Sequence, residues 1–159
     1  MYRIGKSTDI HPLVENRPLI IGGVKIPSPL GLFGHSDADI LCHAIAEAIL
    51  GALNLRDLGT HFSDQDSKNK NRDSLTILQE VVQMMEQKNY QINNVDSLII
   101  IEKPKMAPYI EQMQKNIAKV LHTSIENVNI KATCSEGLGF IGTQKGALAE
   151  AIVLLRKKD

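Results

Sequence analysis

The sequence predicts an α+β domain with one mixed sheet packed against helices, and three observations lead there. Two stretches, 73–89 and 108–122, carry apolar residues at helical spacing: Leu78, Val81, Val82 and Met85 in the first, Ile110, Met113, Ile117 and Leu121 in the second. Runs rich in Val and Ile alternate with them, "VDSLIIIE" at 95–102 and "NVNIKAT" at 127–133, and read as strands. Near the N-terminus, "RPLIIGGVKIP" at 17–27 reads as a hairpin, two apolar runs about a Gly22-Gly23 turn. The order is that of a β-α-β-α-β core with added hairpin strands.

The other elements follow along the chain. Residues 2–9 form a short strand, and "SPLGLFGHSD" after the hairpin is loop, dense in Pro and Gly. Residues 37–53 are mainly Ala, Leu and Ile and too long for one strand, so they form a buried helix capped by Asp37 or Asp39. The polar stretch "NLRDLGTHFSDQDSKNKNR" at 54–72 is a loop long enough to expect a functional role. Asp73 caps the next helix, and "KPKMAP" interrupts the pattern before the one after it. A Gly-rich loop, "CSEGLGFIGTQKG", leads to "ALAEAIVLLRK", whose apolar run fits strand or helix. No repeat or linker divides the chain, so residues 1–159 form a single domain.

Composition removes several classes of function. Lys plus Arg number 18 and Asp plus Glu 18, so no basic field favours nucleic acid, and no Trp is available for base stacking. The 43% apolar content is that of a folded chain. No apolar run approaches the roughly 20 residues of a membrane span. Two cysteines, Cys42 and Cys134, make neither a disulfide framework nor a four-thiolate zinc site, which points to a reducing cytoplasm. "MYRIGKST" lacks the apolar core of a signal peptide, while a removed plastid targeting segment stays open.

The first candidate site is a metal centre. In "STDIHPL", Asp9 and His11 are two apart on a strand, so both side chains point to one face. Taken alone, the pair is as compatible with an ordinary strand end. In "HSDADILCHAIAEAILGAL", His43 is the one imidazole in an oily helix and needs partners for its ring nitrogens. Asp39 and Glu47 lie four residues to either side, and either could fix its tautomer; a core histidine bonded to Glu47 is the plainer alternative. Two His and one Asp make a three-ligand site with a position open for chemistry at an oxygen atom. Elsewhere, "RDLGTHFSDQD" offers Asp57, Asp64 and Asp66 for hydroxyl groups, and backbone N–H groups of "KATCSEGLGFIG" can cradle phosphate oxygens. Glu136 there could hold Mg²⁺ with diphosphate oxygens. Lys103 and Lys105 in "IEKPKMAP" stand on a stiff turn that could flank a base.

Five segments, "DIH", "GHSDADILCHAIAEAILGAL", "RDLGTHFSDQD", "KPKM" and "KAT" with "SE" and "LGFIG", stand in the order and spacing of one family. The chain resembles the 2-C-methyl-D-erythritol 2,4-cyclodiphosphate synthases of the non-mevalonate isoprenoid pathway, from about residue 2 to 156. The resemblance implies a ferredoxin-like or chorismate-mutase-like core, a homotrimer with sites between subunits, and a cytoplasmic, bacterial-type enzyme. It implies cyclisation of 4-diphosphocytidyl-2-C-methyl-D-erythritol 2-phosphate with release of CMP, the 2-phosphate attacking the β-phosphorus of the same molecule. It assigns Zn²⁺, or another divalent transition metal, to Asp9, His11 and His43, and Mg²⁺ to Glu136 with the substrate diphosphate. His35 and Cys134 take the positions that stabilise the transition state. Substrate contacts fall on Asp9, Ile10 and His11; on His35 and Ser36; on Asp57, Leu58 and Gly59; and on Phe62, Ser63, Asp64, Gln65 and Asp66. The cytosine pocket, on another subunit, is Ile101, Glu102, Lys103, Pro104, Lys105, Met106 and Ala107. Thr133, Cys134, Ser135, Glu136 and Phe140 complete the set around the diphosphate.

The chain departs from the family pattern at four places. Ser7 replaces a glycine, Ser63 a proline, Cys134 a threonine, and Thr143 an arginine that follows the "GFIG" turn. A thiol is a weaker hydrogen-bond donor than the hydroxyl it replaces.

Overall fold

The computed structural model describes residues 1–158. Along them run β1 (Tyr2–Glu15), β2 (Leu19–Ile21), β3 (Val24–Ile26), β4 (Leu30–Leu32), α1 (Ile40–Ala52), α2 (Leu58–His61), α3 (Ser74–Gln87), β5 (Tyr90–Ile100), α4 (Ile110–Val120), β6 (Val128–Thr133), α5 (Gly139–Gly142) and β7 (Gly146–Lys157). Five strands make one sheet in the order β4-β1-β7-β5-β6. Within it only β5 and β6 run parallel, with α4 between them in sequence. β2 and β3 form the separate hairpin, which turns at Gly22 and Gly23, both at positive φ. The fold is thus α+β with a mixed sheet, as expected.

Several elements begin or end a few residues from the sequence reading, and the segment read as loop after the hairpin contains strand β4; three differences have a clear physical reason. β1 continues past residue 9 to Glu15 because it changes partner: residues 2–12 pair with β7 and residues 13–15 with β4. Pro12, which cannot donate to a ladder, sits where that exchange occurs. β5 starts at Tyr90, directly after a left-handed turn at Asn89, and ends at Ile100 rather than 102. The ambiguous last segment is strand β7, whose Ala147, Ala149, Ala151, Val153 and Leu155 are buried on one face. Those alanines are small because a helix lies against them, and small residues blur the contrast by which alternation is read.

That helix is α1, whose residues are buried except His43, Glu47 and Gly51. These three recur every fourth position and so form one stripe along the helix. The same sheet face holds Gly5 of β1, where an added Cβ would lie 1.9 Å from the carbonyl oxygen of Ala48. Helix and strand therefore touch backbone to backbone. α3 packs against α1 through Leu78, Val81 and Val82, and α4 contributes Met113 and Ile117. The opposite sheet face has no helix over it: Ile4 is 70% exposed, Ile10 56% and Ile152 42%.

Asp39 is the cap of α1, and its fully buried carboxylate does more than cap. It accepts from Leu41 N (3.2 Å) and Cys42 N (3.1 Å) on the helix, and from Gly22 N (2.9 Å) and Gly23 N (2.7 Å) in the hairpin turn. One anion thereby ties the β2–β3 hairpin to the start of α1. Burial raises its pKa above the ordinary value and the Asp37 charge adds to this, while the backbone donors pull it down.

Gly5→Ala is expected to lower the unfolding free energy by about 3 kcal/mol in urea denaturation, since its only new contact is with backbone that cannot rotate away. An unchanged midpoint would show that α1 can lift off β1 at little cost.

Candidate active site

Strand alternation turns Ser7, Asp9 and His11 toward α1, and the exposed stripe of α1 turns His43 and Glu47 toward β1. Where the two meet, Asp9 Oδ2 lies 3.1 Å from His11 Nε2 and 3.2 Å from His43 Nδ1. One ligand atom from each of the three lies within 4.8 Å of the others. Each imidazole is committed through its other nitrogen. His11 Nδ1 donates to the carbonyl of Phe33 at 2.7 Å, and His43 Nε2 lies 2.8 Å from Ser74 Oγ and 3.2 Å from Ser36 Oγ. Gly34 is required beside them, because a Cβ there would meet the His11 ring at 2.8 Å.

Neither residue expected to orient His43 does so. Asp39 is taken up by four backbone donors, and Glu47 accepts from Ser7 Oγ at 2.5 Å and from Leu58 N at 3.2 Å. The partner is Ser74, at the start of α3. Ser7 is held by Glu47 and leaves the ladder between β1 and β7 unbroken.

The electrostatics follow from one carboxylate between two imidazoles. Burial raises the Asp9 pKa, but the hydrogen bonds and charges of His11 and His43 outweigh it and bring the value to about 2. His11 is displaced upward: burial lowers it, and the hydrogen bond and charge of Asp9 raise it by more. A negative centre thus draws positive charge into this corner, as protons or as a metal cation. A divalent ion fits the donor set, because His11 Nε2 and His43 Nδ1 face Asp9 while their second nitrogens are occupied elsewhere.

The triad stands in a cleft of about 350 Å³ that also gathers Ile10, His35, Ser36, Leu58, Gly59, Phe62 and Asp64 of the expected residues. Its walls further include Glu47, which the sequence offered only as a partner for His43, and Gly34, Asn69 and Ile77, which sequence reasoning passed over. Asp57 and Asp66 serve locally as caps, Asp57 accepting from Thr60 N at 2.9 Å and Asp66 from Lys68 N at 3.0 Å. The Thr60 bonds hold the Asp57 carboxyl below its ordinary value. Ser63 and Gln65 are exposed on the same loop.

A second cleft of about 280 Å³, at the ends of β5 and β6, gathers Ile101, Glu102, Pro104, Lys105, Met106, Ala107, Thr133 and Cys134, with Ala132 in addition. Lys103 lines an adjoining hollow. Ser135 N donates to Glu102 at 3.2 Å and so ties the phosphate-loop candidate to this wall. Cys134 is exposed, with Sγ 3.5 Å from a carboxylate oxygen of Glu136. Glu136 is exposed on the loop beyond and Phe140 on α5, and Glu136 is not among the ligands grouped at Asp9. Within one chain, the two expected halves of the substrate site thus line separate clefts.

The sequence model of the YgbB family matches residues 2–156. A 2-C-methyl-D-erythritol 2,4-cyclodiphosphate synthase of Geobacillus sp. (strain WCH70) is 53% identical over 158 residues, 99% of this chain and 100% of that one. The enzyme of that name from Clostridioides difficile (strain 630) is 56% identical over 153 residues, 96% of this chain and 95% of its own. Among solved structures, the CDP complex of IspF from Plasmodium falciparum has a TM-score of 0.87 at 35% identity, covering 99% of this chain and 97% of that one. The bifunctional IspDF of Campylobacter jejuni has a TM-score of 0.96 at 36% identity; it covers all of this chain, which spans 43% of that longer protein. Matched by sequence from one end to the other and superposable on solved relatives, the chain belongs to the YgbB family.

Proposed function

We infer that this protein converts 4-diphosphocytidyl-2-C-methyl-D-erythritol 2-phosphate into 2-C-methyl-D-erythritol 2,4-cyclodiphosphate and CMP, the activity for which its relatives are named. The observation that carries the reading is the Asp9, His11 and His43 triad at the base of a cleft in a chain of this family. One carboxylate and two neutral imidazoles leave a bound divalent ion with net positive charge, which suits a phosphate oxygen as its next ligand. We assign Zn²⁺ to this triad; when bound, it supplies Lewis-acid polarisation of a phosphate. Glu136 is assigned to Mg²⁺ together with the substrate's diphosphate.

The remaining work belongs to the chain. Nucleophile and electrophile are parts of one substrate, so the protein's task is to fold it until the attacking oxygen lies in line with phosphorus. Asp57 to Gly59 and Phe62 to Asp66 are assigned to the methylerythritol phosphate end. His35 and Cys134 are assigned to the phosphoryl groups as charge moves during transfer. Ile101 to Ala107 are assigned to cytosine, in keeping with relatives solved as CDP complexes. Because the two groups line separate clefts, one substrate reaches both most directly across two chains. The uncovered sheet face, with Ile4, Ile10 and Ile152 exposed, supplies the apolar surface for the homotrimer this requires. A cytoplasmic enzyme accords with the unpaired cysteines.

Three measurements test this. With the substrate and both metals, ³¹P NMR is expected to show the cyclic diphosphate beside CMP. His43→Ala is expected to slow formation by about a hundredfold or more. A linear product carrying oxygen from water would make the protein a phosphohydrolase instead. Sedimentation equilibrium is expected to give a trimer, and Ile152→Asp to shift it toward monomer; a monomeric wild type would remove the composite site. Proton binding gives the third test, in metal-free protein. Asp9, with its pKa lowered from 3.8 to about 2, adds stability above about pH 4 that is lost as pH falls toward 2. His11, raised above 6.5, adds stability below that pH, lost as pH rises through its folded value. The thermal penalty of Asp9→Asn is therefore expected to peak between about pH 4 and 6.5, at no more than about 2 kcal/mol. A penalty independent of pH would contradict the ionic coupling.

A further inference from the structure

We propose that Ser74 and Asp37 are positioning residues of the metal centre: Asp37 aims the Ser74 hydroxyl so that it takes the Nε2–H of His43 and leaves His43 Nδ1 bare toward Asp9. The inference rests on Asp9, His11 and His43 being metal ligands, and it adds two residues to that site.

The order of protons along the chain of contacts carries it. Ser74 is completely buried at the first position of α3. Its backbone N–H donates to Asp37 Oδ2 at 3.1 Å, and its hydroxyl donates to Asp37 Oδ1. Asp37 is itself fixed, since its N–H donates to the carbonyl of Arg72 at 3.0 Å. A hydroxyl has one proton, and here a carboxylate takes it. Toward His43 Nε2, at 2.8 Å, Ser74 Oγ can offer only a lone pair. The second hydroxyl nearby, Ser36 Oγ, is 3.2 Å from Nε2 and accepts the Ala38 N–H at 3.1 Å. The proton of Ser36 can go to Ser74 Oγ, 3.5 Å away, and Nε2 is then the protonated nitrogen, because a bare Nε2 would set its lone pair against that of Ser74 Oγ, its nearer neighbour. Nδ1 is left with its lone pair facing Asp9 Oδ2 across 3.2 Å. Two electron-rich atoms that close need a cation or a proton between them. The carboxylate–hydroxyl–imidazole chain thus selects the tautomer that binds metal, the role carboxylates often play directly for metal-bound histidines.

The test uses metal-free full-length protein and Zn²⁺ itself, titrated against a chromophoric chelator, with two-bond ¹H–¹⁵N NMR of the histidine rings as a readout independent of turnover. Wild type is expected to keep a proton on His43 Nε2 in the metal-free protein, and with Zn²⁺ added to show the Nε2–H tautomer with Nδ1 unprotonated. Ser74→Ala is expected to mix the tautomers and weaken Zn²⁺ binding by about 10- to 100-fold. Asp37→Asn, which keeps the size but halves the acceptors, is expected to weaken it by about tenfold, and Ser74→Thr, which keeps the hydroxyl, to stay within about threefold of wild type. A merely structural role would lower the melting temperature of Ser74→Ala yet leave tautomer and affinity alone, and that result overturns the proposal. Should Ser74→Ala fail to fold, Asp37→Asn decides by the same two readouts. A wild type that binds no Zn²⁺ overturns the metal reading and this inference together; a wild type that binds it while the variants bind equally well overturns this inference alone.

Discussion

Everything at the site depends on how closely α1 lies on β1. At Gly5 and Ala48 the two backbones touch, with no side chain between them. A helix held one side-chain layer farther out would carry His43 away from Asp9, which it now meets at 3.2 Å. The small residues of β7 beside this crossing, Ala147, Ala149 and Ala151, keep the helix at the same depth over the neighbouring strand. Asp39 then fixes where the helix begins, by binding its first turn and the hairpin with one carboxylate. Packing thereby sets the separation of Asp9, His11 and His43, and the bonds to the Phe33 carbonyl and to Ser74 are left to set the directions of the two rings.

Close packing also accounts for what the sequence could reveal. Asp9 and His11 were legible as a pair because a two-residue spacing on a strand needs no tertiary knowledge. His43 was legible as a polar residue with unmet needs on an oily helix. Its orienting partner was not, because helical geometry nominates only residues three or four positions away, and those are Asp39 and Glu47. Ser74 lies 31 residues on, at the start of another helix, and reaches His43 only because α3 packs on α1. The strand nature of β7 was hidden for the reason that makes it useful: alanines that admit a helix carry little apolar contrast. Pro12 marks the comparable limit in β1, since a proline suggests an end where the strand is only changing partner.

The four departures expected from the family resemblance can be weighed by what surrounds them. Ser7 adds a hydroxyl on β1 beside Asp9, and Glu47 binds it while also holding the backbone of Leu58 at the start of α2. Through Glu47 this serine links β1 to the start of α2 and disturbs neither. Ser63 lies on an exposed loop where its hydroxyl accepts from Gln65 N at 3.2 Å, so it supplies by hydrogen bond the local restraint that proline supplies by its ring. Thr143 bonds the carbonyl of Gly139 at 3.0 Å and closes α5 on itself, with no cation to offer an anion there.

Cys134 differs from these three because nothing buried depends on it. Its side chain is exposed, and its one polar neighbour is the Glu136 carboxylate at 3.5 Å. The loop keeps its shape through other bonds, from Ser135 N to Glu102 and from Leu138 N to the carbonyl of Ser135. Exchanging a hydroxyl for a thiol at such a position leaves the loop backbone, and the N–H groups it presents, where they were. In the role proposed for Cys134, what changes is the strength of one hydrogen bond toward a phosphoryl oxygen, which a thiol makes more weakly. Such a bond matters only as charge builds on the oxygen, so under that proposal a thiol bears on the rate of transfer and not on the fold or on substrate affinity.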